Sequence, residues 1–179
     1  VDMPFNTYKN KSRALKNCKK VMKETKCDGI KLEGGRKITE IVKHLVKFKI
    51  PVIGHIGITP QSVRGKFRYK GKTDIEKKNL LKDSKSLEEA GVFAIVLECI
   101  EKKVSQEITE SVNVPTIGIG SSNFCDGQIL VTDDLLGLTD NNIKFVKKYA
   151  NLKNNIRNAV KKFKLDVKSG SYPSAKYSY

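Results

Sequence analysis

Short β-rich runs alternate with amphipathic helical stretches along the chain, and this alternation limits the possible folds more than any other feature. Leu15, Cys18, Val21 and Met22 fall at helical spacing and predict a helix over 9–26. A strand over 29–33 follows, closed by Gly34-Gly35, and then a helix over 38–48 with Ile41, Val42, Leu45 and Val46 on one face. The pattern continues with a strand over 51–56, a helix over 75–90, and a nearly unbroken apolar run over 92–97. Such a run suits a strand covered on both faces. A helix over 101–112, strands over 116–119 and 128–131, and helices over 143–149 and 153–167 complete the reading.

Strand, helix and parallel strand in repetition define an α/β fold. An open doubly wound sheet and a (βα)8 barrel both satisfy it. The sequence has neither a dinucleotide-binding glycine fingerprint nor a P-loop, so the open sheet lacks its usual phosphate site. Polar residues gather instead at the C-terminal ends of successive strands, where barrels carry their chemistry. A full barrel takes roughly 250 residues, and this chain of 179 supplies material for about six βα units. The expectation is a single domain over 1–179, an incomplete TIM barrel holding about strands 3 to 8. Val1-Asp2-Met3-Pro4-Phe5 fits this, because it reads as the middle of a strand rather than as a natural start.

Composition removes several alternatives. A chain that is 39% hydrophobic can bury one sizeable core. No apolar run reaches the ~18 residues a membrane helix needs, and the stretch over 92–100 is broken by Glu98. No export signal opens the sequence, so Cys18, Cys27, Cys99 and Cys125 are expected as reduced thiols and the location as cytoplasmic. The formal charge of +16 raises the question of nucleic acid. The basic residues are mostly Lys, scattered over polar helix faces without interleaved aromatics, so a solvated surface is expected and nucleic acid is not.

Five polar residues stand at or near strand ends: Asp2, Lys31, Glu33, His55 and Glu98. Lys31 and Glu33 are two apart and therefore share a face of their strand. Buried there, they must pair with each other or bind something charged. Asp2 and Glu33, on adjacent strands, could share a hard divalent cation such as Mg²⁺, which favours oxygen ligands. Glu98 ends an apolar strand, a setting that suits a general base and equally a helix cap or ion pair. His55 could donate to a substrate oxygen or fill a polar slot in the core. His44 is expected on a solvent-facing helix surface, Gly118-Ile119-Gly120 at a close backbone approach, and Asp126-Gly127 at a turn or cap.

The order of short motifs goes further. Asp-Met-Pro-Phe at 2–5, Ile-Lys-Leu-Glu-Gly-Gly at 30–35 and Gly-His-Ile-Gly-Ile-Thr-Pro-Gln-Ser-Val at 54–63 resemble the ketopantoate hydroxymethyltransferase family. So do Leu-Glu-Glu-Ala-Gly at 87–91, Val-Leu-Glu-Cys at 96–99 and Ile-Thr-Glu-Ser at 108–111. Pro-Thr-Ile-Gly-Ile-Gly at 115–120, Asp-Gly-Gln-Ile-Leu-Val at 126–131 and Lys-Ser-Gly-Ser-Tyr-Pro at 168–173 complete the series in family order.

The resemblance implies a barrel of the phosphoenolpyruvate/pyruvate superfamily type that transfers a one-carbon unit from 5,10-methylenetetrahydrofolate to 3-methyl-2-oxobutanoate. The product is 2-dehydropantoate, a precursor in pantothenate synthesis. By motif, Asp2 and Glu33 are implied as two of three Mg²⁺ ligands, Asp2 also touching substrate, Lys31 as a keto-acid contact, Glu98 as proton acceptor and His55 as a pocket residue. A homo-oligomeric ring, decameric in the family, is implied as well.

Departures from the family pattern are equally specific. The Gly-Asp-Ser block carrying the third ligand and a substrate-binding Ser is not in this sequence, so the isolated chain is expected to turn over little or no substrate. The segment over 64–71 is shorter and more basic than the family's. Ser121-Ser122 stands where Ala-Gly is usual, and Asp133 where His is common. Two other functions share parts of the pattern. One is a related barrel acting on other small oxo acids, which would carry a catalytic Cys loop that this sequence lacks. The other is an inactive basic scaffold.

Overall fold

The computed structural model describes residues 1–62 and 68–179. Half of the shorter, more basic segment over 64–71 therefore falls outside the described residues. The chain divides into two compact units, 1–129 and 130–179.

In the first unit, α1 (Lys11–Thr25) begins at Asn10, whose side chain accepts from the Arg13 N–H, and ends at a left-handed Lys26. Then come β1 (Ile30–Glu33), a 3₁₀ turn (Arg36–Ile38), α2 (Thr39–Lys47), β2 (Val52–Gly57) and α3 (Asp74–Glu89). Thr73 caps α3 by accepting from the Glu76 N–H. After β3 (Ala94–Glu98), the carboxylate of Glu101 caps α4 (Lys102–Ser111) by accepting from the N–H groups of Lys103 and Val104. β4 (Thr116–Ile119) and β5 (Gly127–Gln128) complete the unit.

Among the described residues, five strands pair in parallel, in chain order β1-β2-β3-β4-β5. Asp2 adds a parallel bridge to Lys31 on the outer edge of β1, so the N-terminal segment continues the same order. This is an α/β fold, as expected. The period-two alternation of each strand separates two faces. Ile30, Leu32, Val52, Ile56, Ile95 and Leu97 are buried in the core with Val42, Leu45, Leu80, Leu87, Val104 and Ile108 of the helices. Lys31, Glu33, His55 and Glu98 occupy the alternate positions, and the register sets Glu33 beside His55. The apolar face anchors the sheet, which leaves the opposite face free to carry charge at the carboxyl ends of the strands.

In the second unit, α5 (Thr132–Leu135) is a single turn and α6 (Leu152–Lys168) a long helix. Between them the chain is tied back by Tyr149 N–H to Leu135 O and Leu152 N–H to Leu136 O. The tail folds into a short turn over Ala175–Tyr177, and Tyr172 packs edge-on against Phe163 at 5.4 Å.

Two expectations need correction. The strand over 128–131 contracts to Gly127–Gln128, because pairing with β4 ends after the Ile129 N–H bond to Gly118 O and α5 starts at Thr132. The helix over 143–149 does not form. Its turn is non-helical and flanked by Asp140, Asn141 and Asn142, side chains that compete for backbone hydrogen bonds and favour loops.

Candidate active site at the carboxyl ends of the strands

Parallel strands send all their carboxyl ends to one side, and there the five expected residues come together. Glu33 closes β1, His55 lies two residues before the end of β2, and Glu98 closes β3. Asp2 enters through its bridge to Lys31. Lys31 Nζ lies 2.7 Å from Asp2 Oδ1 and 3.3 Å from His55 Nδ1. On its other edge the imidazole places Nε2 3.2 Å from Glu98 Oε2. That distance suits a hydrogen bond, yet the N–H is not aligned with the oxygen, and Nε2 is buried without a partner. Glu33 Oε1 stands 3.8 Å from Nδ1, beyond hydrogen-bond reach.

Exposure grades across the cluster. The side chains of His55 and Glu33 are 1% and 4% accessible, Glu98 and Lys31 19% and 21%, and Asp2 55%. An approaching molecule therefore meets Asp2, Lys31 and Glu98 before the inner pair. Burial holds the Glu33 carboxyl above its ordinary range, with the Gln61 N–H pulling the other way and Asp2 adding a lesser upward push. Repulsion between the two carboxylates is thus the smaller cause.

The structure also brings in two residues with no role assigned from sequence. Gln61 donates its backbone N–H to Glu33 Oε2 at 3.0 Å and its side-chain amide to Met3 O at 2.9 Å. Tyr8 donates to Gln61 Oε1 at 3.1 Å, and burial raises its phenol above the ordinary value. Together they clamp the Glu33 carboxylate to the N-terminal segment. Gln61 lies within the Thr-Pro-Gln-Ser run that was read as a motif, so its position was visible and its partner was not. A cavity of about 740 Å³ opens beside Glu33, lined also by Tyr8, Gly34, Gly57, Thr59 and Ser62. Another of about 670 Å³ lies along α3, lined by Lys77, Lys78, Lys82 and Lys85 and by none of the five cluster residues.

The residues flanking the cluster have structural work. Ser121 Oγ donates to Leu97 O at 2.7 Å and accepts from the Ile100 N–H at 3.1 Å, fastening the turn that follows Glu98. Asp126 accepts from the Thr116 N–H and hydroxyl, tying the start of β4 to the start of β5. The four cysteines are free thiols.

Among the described residues, no three His, Cys, Asp or Glu side chains converge as a metal cluster. Asp2 is nonetheless near enough to Glu33 to push its carboxyl upward. Two carboxylates are a donor set that fits a hard cation completing its shell with water and substrate. Among the described residues, no helix is long and apolar enough to cross a membrane.

Set against known proteins, the chain matches the ketopantoate hydroxymethyltransferase family over residues 1–175. It is 56% identical, along its whole length and 69% of the relative's, to 3-methyl-2-oxobutanoate hydroxymethyltransferase of Pelagibacter ubique (strain HTCC1062). The enzyme of the same name from Clostridium botulinum (strain Alaska E43 / Type E3) is 48% identical over 99% of this chain and 66% of its own. That of Helicobacter pylori (strain ATCC 700392 / 26695) is 49% identical over all of this chain and 67% of its own. The chain thus spans about two thirds of the length of these relatives, and the matched residues include every strand that builds the charged cluster. It belongs to the ketopantoate hydroxymethyltransferase family.

Proposed function

We propose that the protein catalyses, or forms the larger part of an enzyme that catalyses, transfer of a hydroxymethyl group from 5,10-methylenetetrahydrofolate to 3-methyl-2-oxobutanoate. The observation that carries this reading is the cluster of Lys31, Glu33, His55 and Glu98 on one face at the carboxyl ends of β1, β2 and β3, in a chain of this family. The sequential parallel order fits an incomplete (βα)8 barrel, with 1–179 as one catalytic domain. Self-association into a ring and a cytoplasmic location follow from the family resemblance.

In this reading Lys31 offsets the negative charge of the keto acid. Glu98 takes the proton from C3, leaving the C–H electron pair in an enolate. That enolate attacks the methylene carbon of the folate, forming the new C–C bond, and water supplies the hydroxyl oxygen. Both methylene C–N bonds break, and the nitrogens keep those electron pairs and take up the C3 proton and one proton of water, leaving tetrahydrofolate. Asp2 and Glu33 would hold Mg²⁺, and Asp2 would also border the substrate. Bound there, the ion would stabilise charge on the substrate's ketone and carboxylate oxygens, typically worth several kcal/mol. His55 is the least able of the five to meet substrate directly, since only 1% of its side chain is accessible.

The test is exchange of the C3 proton of 3-methyl-2-oxobutanoate in deuterated water, on a version spanning the full length of the relatives. Mg²⁺-dependent exchange is expected, reduced at least a hundredfold in Glu98→Gln, roughly what a general base contributes. Undiminished exchange in that variant would remove Glu98 from its role.

A further inference from the structure

We propose that Lys31 fixes the tautomer of His55, so that the imidazole presents Nε2–H to the Glu98 carboxylate and serves as its positioning residue. The inference rests on the reading of Glu98 as the base, and goes beyond it by assigning work to a buried ring.

The ammonium of Lys31 can only donate. It lies 3.3 Å from His55 Nδ1, so that nitrogen accepts and carries no proton. An N–H at Nδ1 would face a cation and would find Glu33 Oε1 only at 3.8 Å, too far to receive it. A neutral ring with bare Nδ1 must carry its proton on Nε2. Nε2 is the buried polar side-chain atom left without a partner among the described residues. The oxygen of Glu98 3.2 Å away is the acceptor that relieves it, and a modest turn of that partly exposed carboxylate aligns the bond. An unpaired buried N–H is costly, so the preference has a physical origin. Lys31, in turn, is anchored by Asp2 at 2.7 Å, which aims the ammonium before His55 is met. The order Asp2–Lys31–His55–Glu98 thus links the edge of the sheet to the carboxylate at the end of β3.

The chain has two histidines, so ring-nitrogen NMR of the labelled protein with a His44→Asn control reports His55 alone. The expected spectrum near neutral pH shows an unprotonated Nδ1 and a protonated Nε2. A protonated Nδ1, with or without a protonated Nε2, overturns the proposal. Lys31→Met is expected to convert the single tautomer to a mixture, and an unchanged ring there overturns the role of Lys31. Glu98→Gln is expected to move the Nε2 signal and leave Nδ1 in place, whereas an unmoved Nε2 overturns the link to Glu98. These spectra do not depend on turnover. Absence of C3 exchange beside an intact Nε2–H ring therefore sinks the proposed reaction while supporting the orientation of His55.

Discussion

The main chain of Glu98 closes over Gly57: a Cβ at position 57 would overlap the Glu98 carbonyl oxygen and press on Ile100. The same carbonyl accepts from the Ile58 N–H at 2.9 Å, and Gly57 holds φ +100, a conformation that side chains avoid. Gly57 is therefore what lets β2 and β3 end side by side, with His55 and Glu98 within reach. Gly57→Ala is expected to destabilise the protein by about 2–3 kcal/mol, from strained backbone and steric overlap together. Urea unfolding measures it, and a loss under about half a kcal/mol would show that the strand ends tolerate separation.

Thiol reactivity should divide the four cysteines. Burial pushes the thiols of Cys18 and Cys99 up to about 11. At about pH 8, only about a thousandth of either would be thiolate, the reactive form. Cys27 is the more accessible of the set. A thiol-specific reagent is expected to modify Cys27 fast in the native protein, and Cys18 and Cys99 only once denaturant is added. Mass spectrometry after brief labelling identifies the sites, and early modification of Cys18 would contradict its packing in α1.

Much of this architecture was legible from the sequence, for a reason the strands make plain. β1 alternates apolar and charged residues (Ile-Lys-Leu-Glu) and β3 is a nearly unbroken apolar run, so period marked the one and composition the other, and the alternation along β1 put Lys31 and Glu33 on one face. Helix ends were readable within two residues wherever a side chain caps them, as at Asn10 and Thr73. The contraction of the strand over 128–131 was not readable, since Ile129 to Val131 look like any β-rich run and only pairing with β4 decides where the ladder stops. Neither was the role of Gln61. Its loop returns to β1 across 28 residues, and that contact exists only in three dimensions. The five site residues were found by position and motif, whereas the chain of contacts among them required coordinates.

Asp126 offers a pH test of a structural tie. The N–H of buried Thr116 holds its carboxyl below the ordinary value of 3.8, aided by the Thr116 hydroxyl. A carboxyl whose folded value is depressed contributes stability that is complete above the ordinary value. That contribution fades as pH falls from there through the lowered one. Asp126→Ala should cost about 1 kcal/mol at neutral pH, an amount kept small by the exposure of Asp126. Asp126→Asn, which retains an acceptor oxygen, should recover part of it. Unfolding curves for wild type and Asp126→Ala should converge as pH falls from the ordinary carboxylate value through the lowered one. A gap that persists unchanged into acid would assign the effect to packing and not to the carboxylate.

The pairing of Lys31 with Asp2 sets cation binding against substrate binding at one position. Asp2 Oδ1 already holds the ammonium at 2.7 Å, and Lys31 also stands among the groups that act on Glu33. A divalent ion shared by Asp2 and Glu33 would have to compete with that ammonium and bind beside its positive charge. Removing the ammonium in Lys31→Met frees the Asp2 carboxylate and lifts the repulsion. Because Asp2 is 55% accessible, the pair is solvent-screened and worth about 1 kcal/mol at most. Lys31→Met should therefore tighten Mg²⁺ binding by up to about fivefold, and Glu33→Gln should weaken it. The same Lys31→Met substitution should weaken binding of 3-methyl-2-oxobutanoate, since the cation that offsets the keto acid's charge is gone. Titrations of each ligand separately, followed by amide NMR shifts, read the two effects. If Mg²⁺ bound equally well to wild type and to Glu33→Gln, Glu33 would not be a metal ligand, and the charge of Lys31 would answer to the keto acid alone.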